Sequence, residues 1–497
     1  MNRQIRLLGA GLMVLFIALF INLNYLQIVH AGSLDSNPLN GTAIVKEYTA
    51  LRGNIISADG VTLATSVPSK DSFKYLRQYP RGALFEQITG FFSFTYGSDG
   101  AERTYDKVLT GKKSAFKLPN SIQGLKNLLT NNNNSQSITL TVLDKLQTLA
   151  QQQLSGRLGS AVAIVPKTGA ILAMYSNPSF DPNQLSGHNL QQVQAAYKAI
   201  SATPGGSLDP PAYRQSWFPG SSFKIITSAA VYDHQPALAN QVQPTLNALK
   251  LPQTNLQLHN FGGEVCGGNL LQLFTVSCDT GFGQLGLDLG AKDLYDEAYS
   301  FGFNQVPPLD LPFGAKSNFP PAASFAQALP TLAYSAIGQQ DVQATPLEMA
   351  LVAAGIANGG VIMAPHILDH VTNSQNQTVQ TYSPSKWLTA TSPSTASSVS
   401  NLMVTVVNSP NGTGTSAAIP GVTVAGKTGT AQTGTGKTDD WFVAFAPAQN
   451  PEIAVAVVLP DQGGTNEYTG GAVAAPLAKA LIEAYLATNP STLKTNG

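Results

Sequence analysis

Charged side chains are scarce in this chain, and their signs cancel. Lys and Arg together number 28, as do Asp and Glu, so charged residues make up 11% of the 497 residues and the formal net charge is zero. This balance excludes a strongly basic surface for nucleic acid and an equally strong acidic one. Uncharged polar residues are abundant instead, a composition that is common in exported proteins.

Cysteine and histidine are also rare. The two cysteines, Cys266 and Cys278, cannot form a zinc site by themselves, and the six histidines are scattered without metal-ligand spacing. If the chain folds outside the cytoplasm, the two cysteines are candidates for one disulfide, and two free thiols are the equal alternative. We therefore expect no metal site.

An apolar run near the N-terminus predicts the compartment. Arg3 and Arg6 precede Leu7–Ile21, and basic residues before such a run predict an N-terminus held inside the cell. The run is shorter than the ~20 residues of a usual membrane span, and Val29–Ala31 offers a small-residue cleavage pattern, so a signal peptide is the alternative to an uncleaved anchor. Both interpretations place the chain beyond about residue 32 outside the cytoplasm.

The length predicts several domains. A chain of 497 residues exceeds one ordinary core, and the asparagine-rich tract Asn131–Ser135 is a polar linker or loop tip. We predict four segments: a cytoplasmic tip and transmembrane anchor over 1–31, a membrane-proximal domain over 32–135, one large domain over 136–490 and a polar tail over 491–497.

The large segment mixes strand and helix patterns. Two apolar runs, Ala161–Val165 and Ala170–Met174, flank a short glycine-containing loop and predict a hairpin in a buried antiparallel sheet. Helices are predicted over 221–233, 345–357 and 471–486, and further strands over 441–445 and 453–458. This arrangement predicts an α+β fold.

A serine and a lysine stand at the start of one predicted helix. Ser221 follows the turn Pro219-Gly220, and Lys224 lies three residues further on, on the same helix face. A serine hydroxyl becomes a nucleophile when a neighbouring base takes its proton, and a partly desolvated lysine is such a base. The pair alone occurs often by chance, so it gains meaning only from other motifs.

Two further motifs follow in order. Ser277-Cys278-Asp279 lies about 55 residues after Ser221, in an apolar segment predicted as helix, turn and helix. Lys427-Thr428-Gly429-Thr430 comes about 150 residues later, after a strand-like alternation. Ser-x-x-Lys on a helix, a second serine and Lys-Thr-Gly on a strand form the set found in penicillin-binding proteins and class A β-lactamases.

With these motifs the chain resembles the class B penicillin-binding proteins, from the anchor to the last helix. Arg52–Ile56 is similar to the membrane-proximal motif of that family, and Thr345–Ala350 and Trp441–Val443 match patterns of its transpeptidase domain. The resemblance implies a penicillin-binding transpeptidase domain of the serine β-lactamase-like fold, an antiparallel sheet with flanking helices, behind a pedestal domain. It implies no metal or organic cofactor.

The resemblance also implies a role for each motif residue. Ser221 is expected to attack the carbonyl between the two terminal D-alanines of a peptidoglycan stem peptide, forming an acyl-enzyme that an amine of a neighbouring stem resolves. Lys224 is expected to accept the serine proton and Ser277 to relay a proton to the leaving D-alanine, while Lys427 supplies positive charge. The expected substrate-binding residues are Asp279, Thr428, Gly429 and Thr430. Expected partners are β-lactams, glycan strands, a membrane glycan polymerase and division proteins.

Asp279 departs from the family pattern, which has asparagine at this position. An asparagine amide donates and accepts hydrogen bonds, whereas an ionised aspartate only accepts them. A carboxylate close to Lys224 also favours the ammonium form, by about 1–3 pKa units at short range, and an ammonium is a worse base. We therefore expect Asp279 in the site with an altered role.

Three other interpretations compete with this one. Gly421–Thr428 satisfies the phosphate-loop pattern, although such a loop must lead into a helix and the residues after it are glycine-rich. A β-lactamase or D,D-carboxypeptidase would use water as the acceptor, but a hydrolase needs neither pedestal nor anchor. A non-catalytic β-lactam-binding scaffold is the third, and Asp279 motivates it. We also interpret Asp439-Asp440 as a solvated turn.

Overall fold

The computed structural model describes residues 2–26, 48–71, 73–111, 135–203, 208–463 and 469–488. Three sequence predictions lie outside these ranges: the cleavage pattern at Val29–Ala31, most of the polar tract at 131–135 and the tail at 491–497. The predicted domain limits at 31, 135 and 490 stay predictions.

The described strands, numbered in chain order, are β1 Ile55–Ile56, β2 Thr62–Pro68, β3 Tyr75–Gln78, β4 Phe92–Ser93, β5 Gly97–Ser98, β6 Ser137–Leu140, β7 Gly159–Ile164, β8 Ile171–Asn177, β9 Gln243–Leu246, β10 Ala248–Lys250, β11 Gln257–His259, β12 Cys266–Gly268, β13 Val361–Met363, β14 Leu368–Thr372, β15 Thr378–Thr381, β16 Lys386–Thr389, β17 Ala425–Gln432, β18 Thr438–Ala446 and β19 Ile453–Gln462.

The α-helices are α1 Asn2–Asn24, α2 Glu86–Thr89, α3 Gly100–Thr104, α4 Asp106–Leu109, α5 Asp144–Gln153, α6 Asn183–Ser186, α7 Leu190–Ser201, α8 Pro211–Arg214, α9 Lys224–His234, α10 Leu270–Thr275, α11 Asp279–Ser300, α12 Leu329–Ser335, α13 Pro346–Ala357, α14 Pro393–Asn408 and α15 Ala475–Thr488. The 3-10 turn Gly220–Phe223 leads directly into α9, and the π-helical turn Gly470–Ala474 leads directly into α15.

The chain divides into two units. The smaller contains residues up to 51 together with 66–76, and the larger contains 52–65 and the chain from residue 77 onward. In the smaller unit, α1 has 23 residues, which at 1.5 Å per residue is about 34 Å, enough for the ~30 Å hydrocarbon core of a bilayer. Within its segment Arg3–Asn24, an 18-residue window has a mean hydropathy of 2.2 and contains no buried residue, as expected for a candidate membrane span.

The larger unit is built on a five-stranded antiparallel sheet in the order β17-β18-β19-β7-β8. Strands β18 and β19 are buried over nearly all of their residues, because helices α13 and α15 pack against both. The predicted hairpin is confirmed, since β7 pairs with β8 from Gly159↔Asn177 to Ile164↔Ile171. The helix predicted at 345–357 is confirmed as well, with Thr345 as its N-cap accepting from the Glu348 amide.

A second sheet joins distant parts of the chain in the order β15-β14-β6-β1-β2-β3. The hairpin signal at Asp59-Gly60 is confirmed, because β1 and β2 pair antiparallel around it. The same sheet also pairs two strands that are far apart in the sequence, since β14 at Leu368–Thr372 lies antiparallel to β6 at Ser137–Leu140. The sheet therefore includes strands from both sides of the predicted boundary at residue 135.

Arg52, the first residue of the membrane-proximal motif, lies in a buried ionic network with Arg77, Glu102 and Asp106. Glu102 accepts from Arg52 Nε at 3.0 Å and from Arg77 Nε at 2.5 Å, and Arg52 Nη1 lies 2.5 Å from Asp106 Oδ1. Burial acts to raise the pKa of Glu102, but the two guanidinium groups outweigh it and hold that pKa below its ordinary value. The network is thus held together by one fully buried carboxylate.

We expect Glu102→Gln to lower the free energy of unfolding by about 3–5 kcal/mol, because it leaves two buried guanidinium groups without their shared counter-charge. Chemical denaturation of the full-length chain in detergent measures this loss. Lys479→Gln, in a half-exposed pair with Glu483 at 3.9 Å, is the control, with an expected change below about 0.5 kcal/mol. Equal effects of the two substitutions would contradict a stabilising network.

Candidate active site

A cleft of about 570 Å³ in the larger unit collects the predicted motifs. Its walls come from the turn before α9, the β11–β12 segment, the α10–α11 turn and β17. Among the predicted site residues, those lining it are Ser221, Ser277, Asp279, Thr428 and Thr430, and the two cysteines line it as well.

Ser221 lies in the 3-10 turn that starts helix α9. Gly220 makes the turn possible with φ +52°, a left-handed value that suits glycine, and Lys224 is the first residue of α9. In a 3-10 turn, residues three apart lie directly above one another, so Ser221 and Lys224 project to the same side. The predicted placement in a first helical turn is confirmed, with 3-10 rather than α geometry.

Ser277 and Asp279 lie where α10 gives way to α11. Ser277 has φ +59°, an uncommon left-handed conformation for a non-glycine residue and one found often at functional sites. Asp279 begins α11, so its carboxylate faces the positive end of the helix dipole. Between them, Cys278 is joined to Cys266 of β12 in a disulfide, the alternative that the sequence left open. The disulfide ties this turn to the opposite wall of the cleft.

Lys224 is fully buried and makes three contacts at the base of the cleft. Its Nζ lies 2.8 Å from the Ser277 carbonyl oxygen, 3.3 Å from Ser277 Oγ and 2.6 Å from Asp279 Oδ1. The same Asp279 oxygen accepts from Ser221 Oγ at 3.4 Å. The other oxygen of Asp279 accepts from the Phe261 amide at 3.2 Å. Asp279 therefore connects the serine hydroxyl and the lysine, and its acceptors are occupied.

Lys427 approaches Ser277 from the opposite side. Its Nζ donates to Ser277 Oγ at 2.8 Å and lies 3.2 Å from the Thr428 carbonyl oxygen. The Thr428 hydroxyl in turn lies 2.7 Å from that of Thr413. Ser277 Oγ thus lies within hydrogen-bond distance of the Nζ atoms of two buried lysines.

The two lysines have lowered pKa values. Burial lowers the pKa of Lys224, while Asp279 acts in the opposite direction without cancelling it. Burial, with a further contribution from the charge of Lys224, lowers the pKa of Lys427 well below its ordinary value. Asp279 acts to raise the pKa of Lys224, in the direction expected from the sequence, but desolvation lowers that pKa by more.

Gly429 brings strand β17 against the serine turn. A Cβ at this position would lie 2.6 Å from the Pro219 carbonyl oxygen and 2.9 Å from the Trp441 Cβ. Only glycine allows this approach, which places Thr430 on the cleft wall. Thr430 Oγ1 accepts from the Gly470 amide at 3.2 Å, and the hydroxyl keeps one proton to donate.

Two sequence interpretations around β17 are wrong. Lys427 and Thr428 lie within β17, which continues to Gln432 and pairs with β18, so the phosphate-loop geometry of strand, loop and helix does not apply. Asp439 and Asp440 form part of β18 and are 3% and 0% exposed, rather than a solvated turn. Asp439 accepts from the Asp461 amide on β19 at 3.3 Å.

Other side chains of the site carry weaker sequence signals. Asn260 accepts from the Thr280 amide at 2.8 Å and fixes the start of α11, and the Trp441 indole donates to the Phe218 carbonyl at 2.9 Å beside the serine turn. Lone polar residues in loops, such as Asn260 and Thr413, give no periodic pattern that would single them out. Within the described ranges, no group of three or more His, Cys, Asp or Glu side chains is arranged to hold a metal ion.

Comparison with known proteins agrees with this geometry. Residues 159–483 match the penicillin-binding protein transpeptidase domain, and residues 52–137 match the penicillin-binding protein A dimerisation domain. The chain belongs to the penicillin-binding protein transpeptidase family. Its expected class and fold are thereby confirmed, including a transpeptidase domain behind a dimerisation domain.

Individual members of the penicillin-binding protein family match over nearly the whole chain. The peptidoglycan D,D-transpeptidase PbpA of Mycolicibacterium smegmatis is 36% identical over 98% of this chain and 99% of its own, and PbpA of Mycobacterium tuberculosis is 34% identical over 99% and 100%. The ceftriaxone acyl-enzyme complex of M. tuberculosis penicillin-binding protein A superposes with a TM-score of 0.80 over 89% of this chain and 100% of that one, at 34% identity. A D,D-transpeptidase domain from Eggerthella lenta gives 0.76, at 34% identity over 89% and 99%. These relatives confirm the resemblance to the penicillin-binding proteins and show that the chain is similar over nearly its whole length to actinobacterial penicillin-binding protein A.

Proposed function

We propose that this protein is a peptidoglycan D,D-transpeptidase that cross-links stem peptides through a serine acyl-enzyme and that β-lactams acylate and inhibit. The observation that carries the proposal is the convergence at the base of the cleft: Ser277 Oγ lies 3.3 Å from Lys224 Nζ and 2.8 Å from Lys427 Nζ, with Ser221 beside them through Asp279. Relatives named as D,D-transpeptidases and an acyl-enzyme structure of one of them support it.

Each residue has a step in this mechanism. Ser221 Oγ attacks the carbonyl between the terminal D-alanines while Lys224, whose lowered pKa favours the neutral amine, takes the serine proton. The backbone amides of Ser221 and Thr430 stabilise the developing oxyanion. Ser277, held between the two lysines, passes a proton to the leaving D-alanine.

Substrate binding falls to the β17 edge. The hydroxyls of Thr428 and Thr430 line the cleft and bind the terminal carboxylate, and Lys427 adds positive charge there in its protonated form. Gly429 keeps the strand close enough for this contact. Asp279 keeps its place in the site but, with both oxygens used as acceptors, it orders Lys224 and the Phe261 amide rather than donating to substrate.

We further propose that α1 is a single-pass anchor and that the rest of the chain lies outside the cytoplasm. Arg3 and Arg6, near the start of α1, fit an N-terminus held inside. The anchor and the dimerisation domain would then be the surfaces that meet a membrane glycan polymerase and division proteins. A protease added outside intact cells should digest the large domain and spare the N-terminus.

The test of the catalytic proposal uses the full-length protein in detergent. Incubation with benzylpenicillin should add one penicillin mass, located on Ser221 by peptide mapping. With a stem pentapeptide donor and an amine acceptor, each cross-linked product should release one D-alanine. Release of D-alanine with hydrolysed product alone would make the protein a carboxypeptidase, and addition to another residue would discard the mechanism.

Asp279→Asn should leave acylation by penicillin intact at neutral pH or speed it. The aspartate acts to raise the pKa of Lys224, so an amide there lets that pKa fall further, and more of the lysine is neutral at a given pH. The rising limb of the pH–acylation profile should therefore move to lower pH. A folded Asp279→Asn variant whose acylation collapses at every pH would refute this account.

A further inference from the structure

Two consecutive carboxyl groups are buried in strand β18, directly behind the substrate-binding edge of the cleft. Asp440 is fully buried, and Asp439 is 3% exposed. Carboxylic acids are rarely buried to this degree unless they are paired or functional. The next residue, Trp441, supports the serine turn through its indole hydrogen bond to the Phe218 carbonyl. The strand thus contacts the parts of the site that bind and attack substrate.

The register of the sheet places Asp440 beside Thr430. Thr430 of β17 and Asp440 of β18 are direct cross-strand partners, and such partners project from the same face with Cβ atoms about 4.5–5.5 Å apart. Thr430 lines the cleft, and Thr428, which lies on that same face of β17, does so too. The Asp440 carboxyl therefore lies on the adjacent strand beside the Thr430 hydroxyl. That hydroxyl is the one proposed to bind the substrate carboxylate.

The surroundings of Asp440 favour its protonated form. Burial raises the pKa of Asp440 to about 7, with Asp439 acting in the same direction and the hydroxyls of Thr438 and Thr430 acting against it. Within the described part of the chain, neither carboxyl oxygen receives a well-formed hydrogen bond. Asp439 is the charged group that acts on Asp440, and Asp461 in turn raises the pKa of Asp439 by its charge.

We propose that Asp440 is a positioning residue that controls whether Thr430 presents its hydroxyl proton to the substrate carboxylate. The inference rests on the proposed function, because it needs a substrate carboxylate at Thr428 and Thr430. It adds a residue beyond the three motifs, and it makes substrate affinity depend on pH.

Asp440 can act on the Thr430 proton because of the hydrogen-bonding capacity of the two side chains. Thr430 Oγ1 accepts from the Gly470 amide and has one proton to donate. When Asp440 is protonated, it needs no proton from Thr430, and that proton is free for the substrate carboxylate. When Asp440 is ionised, it draws the Thr430 proton toward itself and also places a second negative charge near the substrate carboxylate. Affinity for substrates with a carboxylate should then fall as pH rises through the titration of Asp440.

The test measures the pH dependence of the two acylation constants separately. Stopped-flow acylation of the full-length protein by benzylpenicillin, from pH 5.5 to 8.5, gives the Kd of the non-covalent complex and the limiting acylation rate constant. In the wild type, Kd should rise about fivefold to tenfold with a midpoint near pH 7. In Asp440→Asn, which cannot ionise, Kd should stay at the low-pH value throughout. The acylation rate constant, which depends on Lys224, should keep its pH profile in both.

Three outcomes would overturn the proposal. A wild-type Kd that does not change over this range removes it without any variant. A folded Asp440→Asn variant whose Kd keeps the wild-type pH dependence removes it as well. If the asparagine variant does not fold, Asp440→Ser, which also cannot ionise, replaces it in the same measurement. In Thr430→Val, which lacks the hydroxyl, Asp440→Asn should change Kd less than in the wild type, and an undiminished effect would show that Asp440 does not act through Thr430. Failure of the proposed function is distinct, because without a serine acyl-enzyme no acylation at Ser221 would be seen at any pH, and a carboxypeptidase would release hydrolysed product in place of the cross-link.

Discussion

Ser221→Ala will abolish covalent labelling of the full-length protein by a fluorescent penicillin. Ser221 is the cleft serine whose hydroxyl contacts Asp279 Oδ1, the same oxygen that binds Lys224. Removal of the nucleophile of a catalytic unit commonly costs a factor of about 10⁴ or more in rate, since no other group is positioned to attack. Gel fluorescence after a time course with excess label measures the loss.

The neighbouring serine provides a matched control. Ser222 is buried, its hydroxyl donates to the Pro219 carbonyl at 2.7 Å, and Ser222→Ala removes the same atom one residue away. This variant should lose about 1 kcal/mol of stability and keep labelling within a fewfold of the wild type. Label that persists on Ser221→Ala would reject Ser221 as the nucleophile, and loss of label on both variants would indicate a folding defect in the turn.

The sequence alone predicts the residues that meet in the cleft because their motifs are local. A turn before an apolar helix places Ser221 and Lys224 on one face, and the helix-turn-helix interpretation of the segment around Ser277 is confirmed by α10 and α11. Thr345 and the hairpin at Asp59-Gly60 are likewise short-range signals, which depend on hydrogen bonds within a few residues.

What the sequence does not predict depends on contacts between distant segments. Asp439-Asp440 has the low β-propensity of a turn, yet pairing with β17 and β19 places it in the centre of the sheet, where tertiary packing outweighs propensity. No local sequence pattern indicates the antiparallel pairing of Leu368–Thr372 with Ser137–Leu140. The disulfide between Cys266 and Cys278 stays open in the sequence because two cysteines fit either redox state.

Lys224→Gln will lower the limiting rate constant of acylation by roughly 10²–10⁴, the usual contribution of a positioned general base. Its Nζ is fully buried, and burial lowers its pKa, which raises the fraction of neutral amine that can accept a proton at a given pH. The lone pair of the glutamine amide nitrogen is delocalised into its carbonyl group and cannot take the serine proton, so the loss should appear in the rate constant more than in Kd. Stopped-flow acylation by benzylpenicillin separates the two, with Lys292→Gln, an 81% exposed lysine, as the unaffected control.

A double variant separates the catalytic role of Lys224 from its role as a counter-charge. Lys224→Gln alone leaves the Asp279 carboxylate, 14% exposed, without its partner at 2.6 Å, and such broken pairs are destabilising. Lys224→Gln with Asp279→Asn removes both charges and should recover most of the lost thermal stability. Acylation should stay as slow as in Lys224→Gln, because the base is still missing. Recovery of acylation in the double variant would instead show that Lys224 serves only to balance Asp279, and the proton acceptor would have to be sought at Ser277 and Lys427, the other groups that meet at the base of the cleft.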